Sequence, residues 1–140
     1  MSYCVKADIL KQLDNDILVQ LTDDKNRGVV DDEKVTGAIA DADAEIDGYC
    51  GELYEVPFAT VPPIIRKISV DISIYNLYAR RKGAPDDRKD RYNNAVKFLV
   101  NVAKGLISLG VDPDPALANE NTPDITSQER IFDREKMKDF

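Results

Sequence analysis

Four carboxylates spaced along one predicted helix, Asp41, Asp43, Glu45 and Asp47, are the residues of this chain best placed to do chemistry. Asp41 with Glu45 and Asp43 with Asp47 stand at i and i+4, so each pair shares a stretch of helix surface. Two carboxyl groups whose surroundings push their acidities apart are the apparatus of general acid and base work. Nothing in the neighbouring residues supplies that asymmetry, and the row reads as a solvated or partner-facing strip. A second candidate is the cationic group Arg80, Arg81, Lys82, Arg88, Lys89 and Arg91, a composition able to engage phosphates. Asp86, Asp87 and Asp90 dilute it, it lacks the pattern of a recognition helix, and the whole chain carries a formal charge of -7. An acidic protein surface is the better partner for it. In a third candidate, Gly28 falls at the sixth position of a calcium-type loop counted from Asp23. Lys25, Arg27 and Lys34 then occupy positions where oxygen ligands are required, which makes the segment a polar turn.

Histidine is absent, and the two cysteines, Cys4 and Cys50, lie far apart, so no zinc ligand set of ordinary spacing can be assembled. No glycine-rich phosphate loop, internal repeat or Ser/His/Asp arrangement is present. The expectation is a protein that is not an enzyme and needs no cofactor or metal. Charged residues break the first twenty positions, and no apolar run approaches the length of a membrane span, so a cytoplasmic chain with free thiols is expected.

The elements that would position these residues are helical. Short helices are predicted over residues 5–13 and 15–21, the second with Asp14 in the capping position. The longest pattern covers residues 33–54, capped by Asp31 or Asp32. Val35, Ala38, Ile39, Ala42, Ile46, Tyr49 and Leu53 recur there at helical spacing and the carboxylate row lies opposite. Gly37, Gly48 and Gly51 each weaken such a helix by about 1 kcal/mol relative to alanine, and close approach of a neighbouring backbone is the expected reason for them. Pro57, Pro62 and Pro63 mark a rigid connection, with Pro63 suited to the first turn of a helix over residues 63–82. That helix is apolar nearly all round, with Ile65, Ile68, Ile72 and Tyr75 on one stripe and Val70, Ile74, Leu77 and Tyr78 on another, as a centrally buried element should be. Asp71 interrupts it, with Lys67 four residues earlier as its structural partner. Gly83 and Pro85 end this helix, and Asp86 is expected to cap another over residues 87–104.

Charge is segregated along the chain. Residues 1–60 hold 14 acids against 5 bases, residues 61–105 hold 10 bases against 4 acids, and residues 106–140 hold 8 acids against 4 bases. Alternation of this kind lets an acidic face of one copy meet a basic face of the next, although pairing inside one helical body uses the same charges. The fold class that follows is all-α: a small body of four to five helices over residues 1–105, then an extended partner-binding tail over residues 106–140. From 106 to 128 the tail has four acids, three prolines and no lysine or arginine, a composition that resists ordering by its own burial. Arg130, Ile131, Phe132, Arg134, Met137 and Phe140 follow, apolar anchors among cations that gain burial by docking on another subunit.

These residues carry a resemblance. Leu21-Thr22-Asp23, the run from Ala42 to Tyr49, Tyr54 with Pro57, and Pro62-Pro63 resemble the small helical protein of Mu-like phages and prophages. Asp71-Ile72, Tyr75, Leu77, Tyr78, Tyr92, Ala95, Phe98, Leu99, the 105–110 stretch, and Arg130, Phe132, Arg134, Met137 and Phe140 continue it in the same order over nearly the whole length. Two positions depart from that pattern: Cys4 stands where threonine or serine usually caps the first helix, and Asp139 where glycine often precedes the final aromatic. That family is similar to the head–tail connector adaptors of tailed phages. The resemblance implies a homo-oligomeric ring, typically a dodecamer, beneath a portal protein in the virion neck, assembled in the host cytoplasm. It further implies stopper or tail proteins on the other side, DNA only passing through the channel, and no membrane. The closing residues Arg130 to Phe140 would then meet the portal, Arg80 to Arg91 would lie between subunits or against another partner, and Asp41, Asp43, Glu45 and Asp47 would be candidates for a channel lining. The alternative function is a DNA-binding accessory protein acting through Arg80 to Arg91.

Overall fold

A computed structural model of the chain describes residues 2–81 and 83–111. The described residues form five helices and no strand: α1 (Lys6–Leu10), α2 (Asn15–Thr22), α3 (Asp32–Cys50), α4 (Pro63–Ala79) and α5 (Asp86–Ala103). The all-α class and the five-helix count follow from the periodicities above. The closing residues Arg130, Ile131, Phe132, Arg134, Met137 and Phe140, and Lys82 of the cationic group, lie outside the described residues.

α4 is the central element, packed against α3 along most of its length and against α5 beyond it, with α1 and α2 laid across its far end. Its two apolar stripes serve two clusters. Ile65, Ile68 and Ile72 join Ala42, Ile46, Leu99 and Val102 around α5, while Val70, Ile74 and Leu77 join Ile9, Leu18, Val35 and Ile39 around α1 and α2. A helix shared by two clusters keeps little surface for water, which is why its sequence is apolar nearly all round, with Arg66 and Lys67 left exposed near its start. Each of these side chains is worth roughly 1.5–3 kcal/mol of burial, so α4 is where the stability of the body concentrates.

Local chemistry sets the helix ends. Asp31 caps α3, its side chain accepting from the Glu33 amide at 3.0 Å. Asp14 holds the capping position of α2 in extended backbone, yet its side chain accepts no capping hydrogen bond. Asp86 is not a cap either: Pro85 takes that position and Asp86 lies in the first turn, where its charge still complements the helix dipole. Cys4 likewise does not cap the first helix. Val5 does, and the Asp8 carboxylate reaches back to the Val5 amide at 3.0 Å. Gly83 and Gly105 close α4 and α5 with φ near +79°, the left-handed conformation that only glycine adopts without strain.

Two expectations about chain path change. α3 stops at Cys50, four residues short, and Leu53 and Tyr54 enter the core from a turn. The body also does not stop at Gly105: Ile107, Leu109 and Val111 pack on the cluster around α5, and the Tyr54 hydroxyl accepts from the Leu109 amide at 3.2 Å. No described helix is long and apolar enough to cross a membrane.

Candidate interaction surface

The carboxylate row of α3 is not a solvated strip. Only Asp41 is exposed; Asp43, Glu45 and Asp47 are half-buried and turn to different neighbours. Asp43 and Asp47, one turn apart, hold the N-terminal segment. Asp43 accepts from the Tyr3 amide at 3.2 Å and the Ser69 hydroxyl at 3.0 Å, and Asp47 accepts a very short hydrogen bond from the Tyr3 hydroxyl. That hydroxyl in turn accepts from the Phe58 amide at 3.2 Å. Burial pushes the pKa of Asp43 above its ordinary carboxylate value, against the lowering effect of its Ser69 and Tyr3 bonds. Burial and then the Asp47 hydrogen bond push the Tyr3 phenol up as well. On the opposite flank, Glu45 accepts from the Tyr92 hydroxyl at 3.0 Å, and Tyr92 stacks on Tyr75 with ring centroids 4.0 Å apart. The Tyr92 phenol is pushed up to about 12, by burial first and by Glu45 second. The row therefore ties α3 to the N-terminus, α4 and α5.

The cationic group divides in the same way. Arg80 donates to Asp24 at 2.6 and 3.3 Å and to the Leu21 carbonyl at 2.7 Å, while Arg81 donates to Asp24 at 2.7 Å. The planar guanidinium suits this forked contact. The pair clamps the end of α4 to the turn after α2, and Arg80 is the chief cause of the lowered Asp24 pKa. Arg88 and Arg91 converge on Gln12, whose side-chain oxygen accepts from both at 3.3 and 3.1 Å. Lys89 is exposed to solvent. In the polar turn, both Asp23 oxygens are taken by the Arg27 and Gly28 amides at 2.9 and 2.7 Å. These bonds hold its pKa below the usual value, and they occupy the oxygens that a cation would need.

Asp71 pairs with Lys67 at 3.0 Å, as its position predicts, although its side chain is only 2% exposed. Its other oxygen, Oδ1, lies 4.0 Å from Arg91 and receives no hydrogen bond. Cys4 and Cys50 are buried and free. Burial raises both thiols, Cys50 to about 12, and Cys4 sits against Ser69 and Ser73.

Tyr3, Gln12 and Ser69 organise these contacts, and none was singled out from sequence. Ser69 and Ser73, four apart in an otherwise apolar helix, were the available signal: they leave room and a hydroxyl for the chain crossing at Cys4.

After the internal ties, exposed acids remain on α2 and α3 and exposed bases along α4 and α5, where Asp86, Asp87 and Asp90 are exposed as well. Asp14, Asp16, Asp32, Glu33 and Asp41 are exposed on α2 and α3, with Lys6 bridging Asp32 at 2.9 Å. Arg66, Lys89, Lys97 and Lys104 are exposed along α4, α5 and the end of α5. The sequence model of the family described as Bacteriophage Mu, Gp36 matches residues 3–127. The chain is similar to the Mu-like prophage FluMu protein gp36 of Haemophilus influenzae, strain Rd, at 31% identity over 139 residues, which is 99% of this chain and 97% of that protein. It is also similar to gene product J of Escherichia phage Mu, at 27% identity over 143 residues, covering 100% of this chain and 99% of that protein.

Proposed function

Because the chain belongs to the Bacteriophage Mu, Gp36 family, we propose that this phage protein is a head–tail connector adaptor, forming a ring under the portal and linking the capsid vertex to stopper or tail proteins. The observation that carries this reading is the surplus of exposed acids on α2 and α3 and of exposed bases along α4 and α5. A protomer with these on separate helices is suited to a head-to-tail contact between copies, which closes into a ring when the rotation between neighbours is right. The adaptor passes DNA without reading it, and its closing residues 130–140 provide apolar and cationic anchors for the portal.

Electron microscopy of the purified protein with and without portal tests this. Rings that form alone or on the portal support it, and a monomer that ignores the portal at high concentration overturns it. Deleting residues 127–140 should leave the helical body folded and abolish portal attachment. The DNA-binding alternative is weakened by the engagement of Arg80 and Arg81 with Asp24. Neutralising several phosphates forces a steep loss of affinity with salt, so a salt titration of duplex binding separates the two readings, the adaptor having little affinity to lose.

A further inference from the structure

Residues 2–5 have no helical or strand hydrogen bonding of their own, yet the two core clusters meet there. The Tyr3 ring belongs to the cluster around α5, and Cys4 to the one around α1 and α2. Side chains of α3 and α4 hold this strap in place. Asp43 Oδ2 accepts from the Tyr3 amide at 3.2 Å, and Asp47 accepts from the Tyr3 hydroxyl. Beside them, Ser69 Oγ lies 3.0 Å from Asp43 Oδ1 and 3.2 Å from Cys4 Sγ, and Ser73 Oγ lies 3.8 Å from the same sulfur. A serine hydroxyl has one hydrogen and two lone pairs, so Ser69 donates to the carboxylate or to the sulfur, and accepts from the other. Two arrangements of the same heavy atoms are open to it.

The charge on Asp43 chooses between them. An ionised carboxylate only accepts, and the bond that Ser69 gives it is charge-assisted, so the Cys4 thiol is left to donate to Ser69. A protonated Asp43 must place a hydrogen. The Tyr3 amide occupies Oδ2, which leaves Oδ1 and makes Ser69 Oγ the acceptor. Ser69 then turns its own hydrogen to Cys4 Sγ, and the thiol hydrogen turns to Ser73 Oγ. One proton has been added, on Asp43; the thiol keeps its own throughout, and the Tyr3 amide stays where it was. The groups that face Asp43 are Asp47 on its own helix, Tyr3 and Cys4 on the strap, Ser69 on α4 and the charge of the amino terminus, while Asp8 of α1 adds negative charge at Cys4. Burial is the largest influence among them and favours the neutral acid.

We propose that Ser69 is a proton-responsive switch that keeps the N-terminal strap closed in both charge states of Asp43, its hydroxyl pointing to Asp43 when the carboxylate is ionised and to Cys4 when it is protonated. Ser69 and Ser73, four residues apart in an otherwise apolar helix, supply the relay on which the reversal runs. As pH falls the strap loses a buried charge and none of its bonds, so acid loosens the Asp23 and Asp24 contacts of the α2–α3 turn before it frees residues 2–5. This goes beyond the connector reading and holds whether or not the protein assembles.

The test uses the full chain and follows three signals through one pH titration: the Asp43 carboxyl carbon and the exchange protection of the Tyr3 amide by NMR, and the S–H stretch of Cys4 by infrared, identified by its loss in Cys4→Ser. The S–H band should move with the same midpoint as the Asp43 carbon, as the thiol changes partner, and the Tyr3 amide should keep its protection below that midpoint. Cys4→Ala removes the acceptor needed by the protonated state, so the proton concentration that half-protonates Asp43 should rise by about threefold, and Cys4→Ser, which still accepts and donates, should return it to the parent value. If Cys4→Ala does not fold, Ser73→Ala takes its place: it should move the midpoint in the same direction and abolish the movement of the S–H band. An S–H band unmoved while Asp43 titrates in the parent would overturn the proposal. So would a midpoint that Cys4→Ala leaves alone, or that Cys4→Ala and Cys4→Ser lower equally, since packing rather than the relay would then be responsible. Loss of Tyr3 protection as Asp43 takes its proton would show that the strap opens instead, and overturns it too.

Discussion

At the scale of single residues, the polar chemistry of this chain is spent on holding its own segments together. Tyr3 shows this best, since its hydroxyl donates to Asp47 and accepts from the Phe58 amide. Tyr3→Phe keeps the ring, which stays against Phe58, but strands both partners. The expected loss is about 1–3 kcal/mol, measured as a lower urea midpoint with unchanged slope. The carboxylates respond to pH in opposite directions. Asp23 and Asp24 have lowered pKa values in the fold, from amide bonds and from Arg80 respectively, so their support is complete above the ordinary carboxylate range and disappears as pH falls through the lower folded values. Asp43 is raised by burial, so its ionised form burdens the fold at neutral pH, and that burden lifts as pH falls through its raised value. Asp24→Asn should therefore destabilise at neutral pH and approach the parent in strong acid. The thiols of Cys4 and Cys50, raised by burial, should react with a disulfide reagent only as the chain unfolds.

At the scale of elements, what was legible in the sequence was whatever depends on a helix and its core. The apolar stripes of α3, α4 and α5 name most of the residues that are buried, because one periodicity sets both the element and the face it hides. What was not legible is which neighbour a flank of α3 meets. Asp41, Asp43, Glu45 and Asp47 look alike as a string, yet one faces solvent and the others face the N-terminus and α5, a distinction made by Ser69, Tyr3 and Tyr92 from distant parts of the chain. The same limit applies to the glycines of α3. Gly37 and Gly48 have open space above them rather than a neighbouring backbone, so alanine fits both. Each replacement should stabilise by roughly 0.5–1 kcal/mol through helix propensity and a less free unfolded chain. Gly105→Ala, at a positive φ of 79° that strains any Cβ, should go the other way. Chemical denaturation of the three variants decides this, and destabilisation at Gly37 or Gly48 would mean that the space above them is filled.

At the scale of the whole molecule, the separation of internal from external charge makes the assembly reading testable without knowing the ring. Arg80 and Arg81 clamp Asp24 and the Leu21 carbonyl, so neutralising them should loosen the α2–α3 turn and lower the melting temperature whether or not the protein assembles. Lys89 and Lys97 stand exposed on α5, and surface substitutions away from buried features ordinarily change stability by no more than about 0.5 kcal/mol. Reversing both to glutamate leaves the described body its ties and removes positive potential from the surface of α5. If copies meet head to tail through the acids of α2 and α3 and the bases of α5, the double variant should melt with the parent yet sediment as a smaller species, and added salt should weaken the parent's assembly in the same direction, because exposed charges are screened beyond a Debye length of about 8–10 Å. A fall in melting temperature without change of sedimentation would place Lys89 and Lys97 among the body's own supports and leave the bases of α5 without a neighbour to hold.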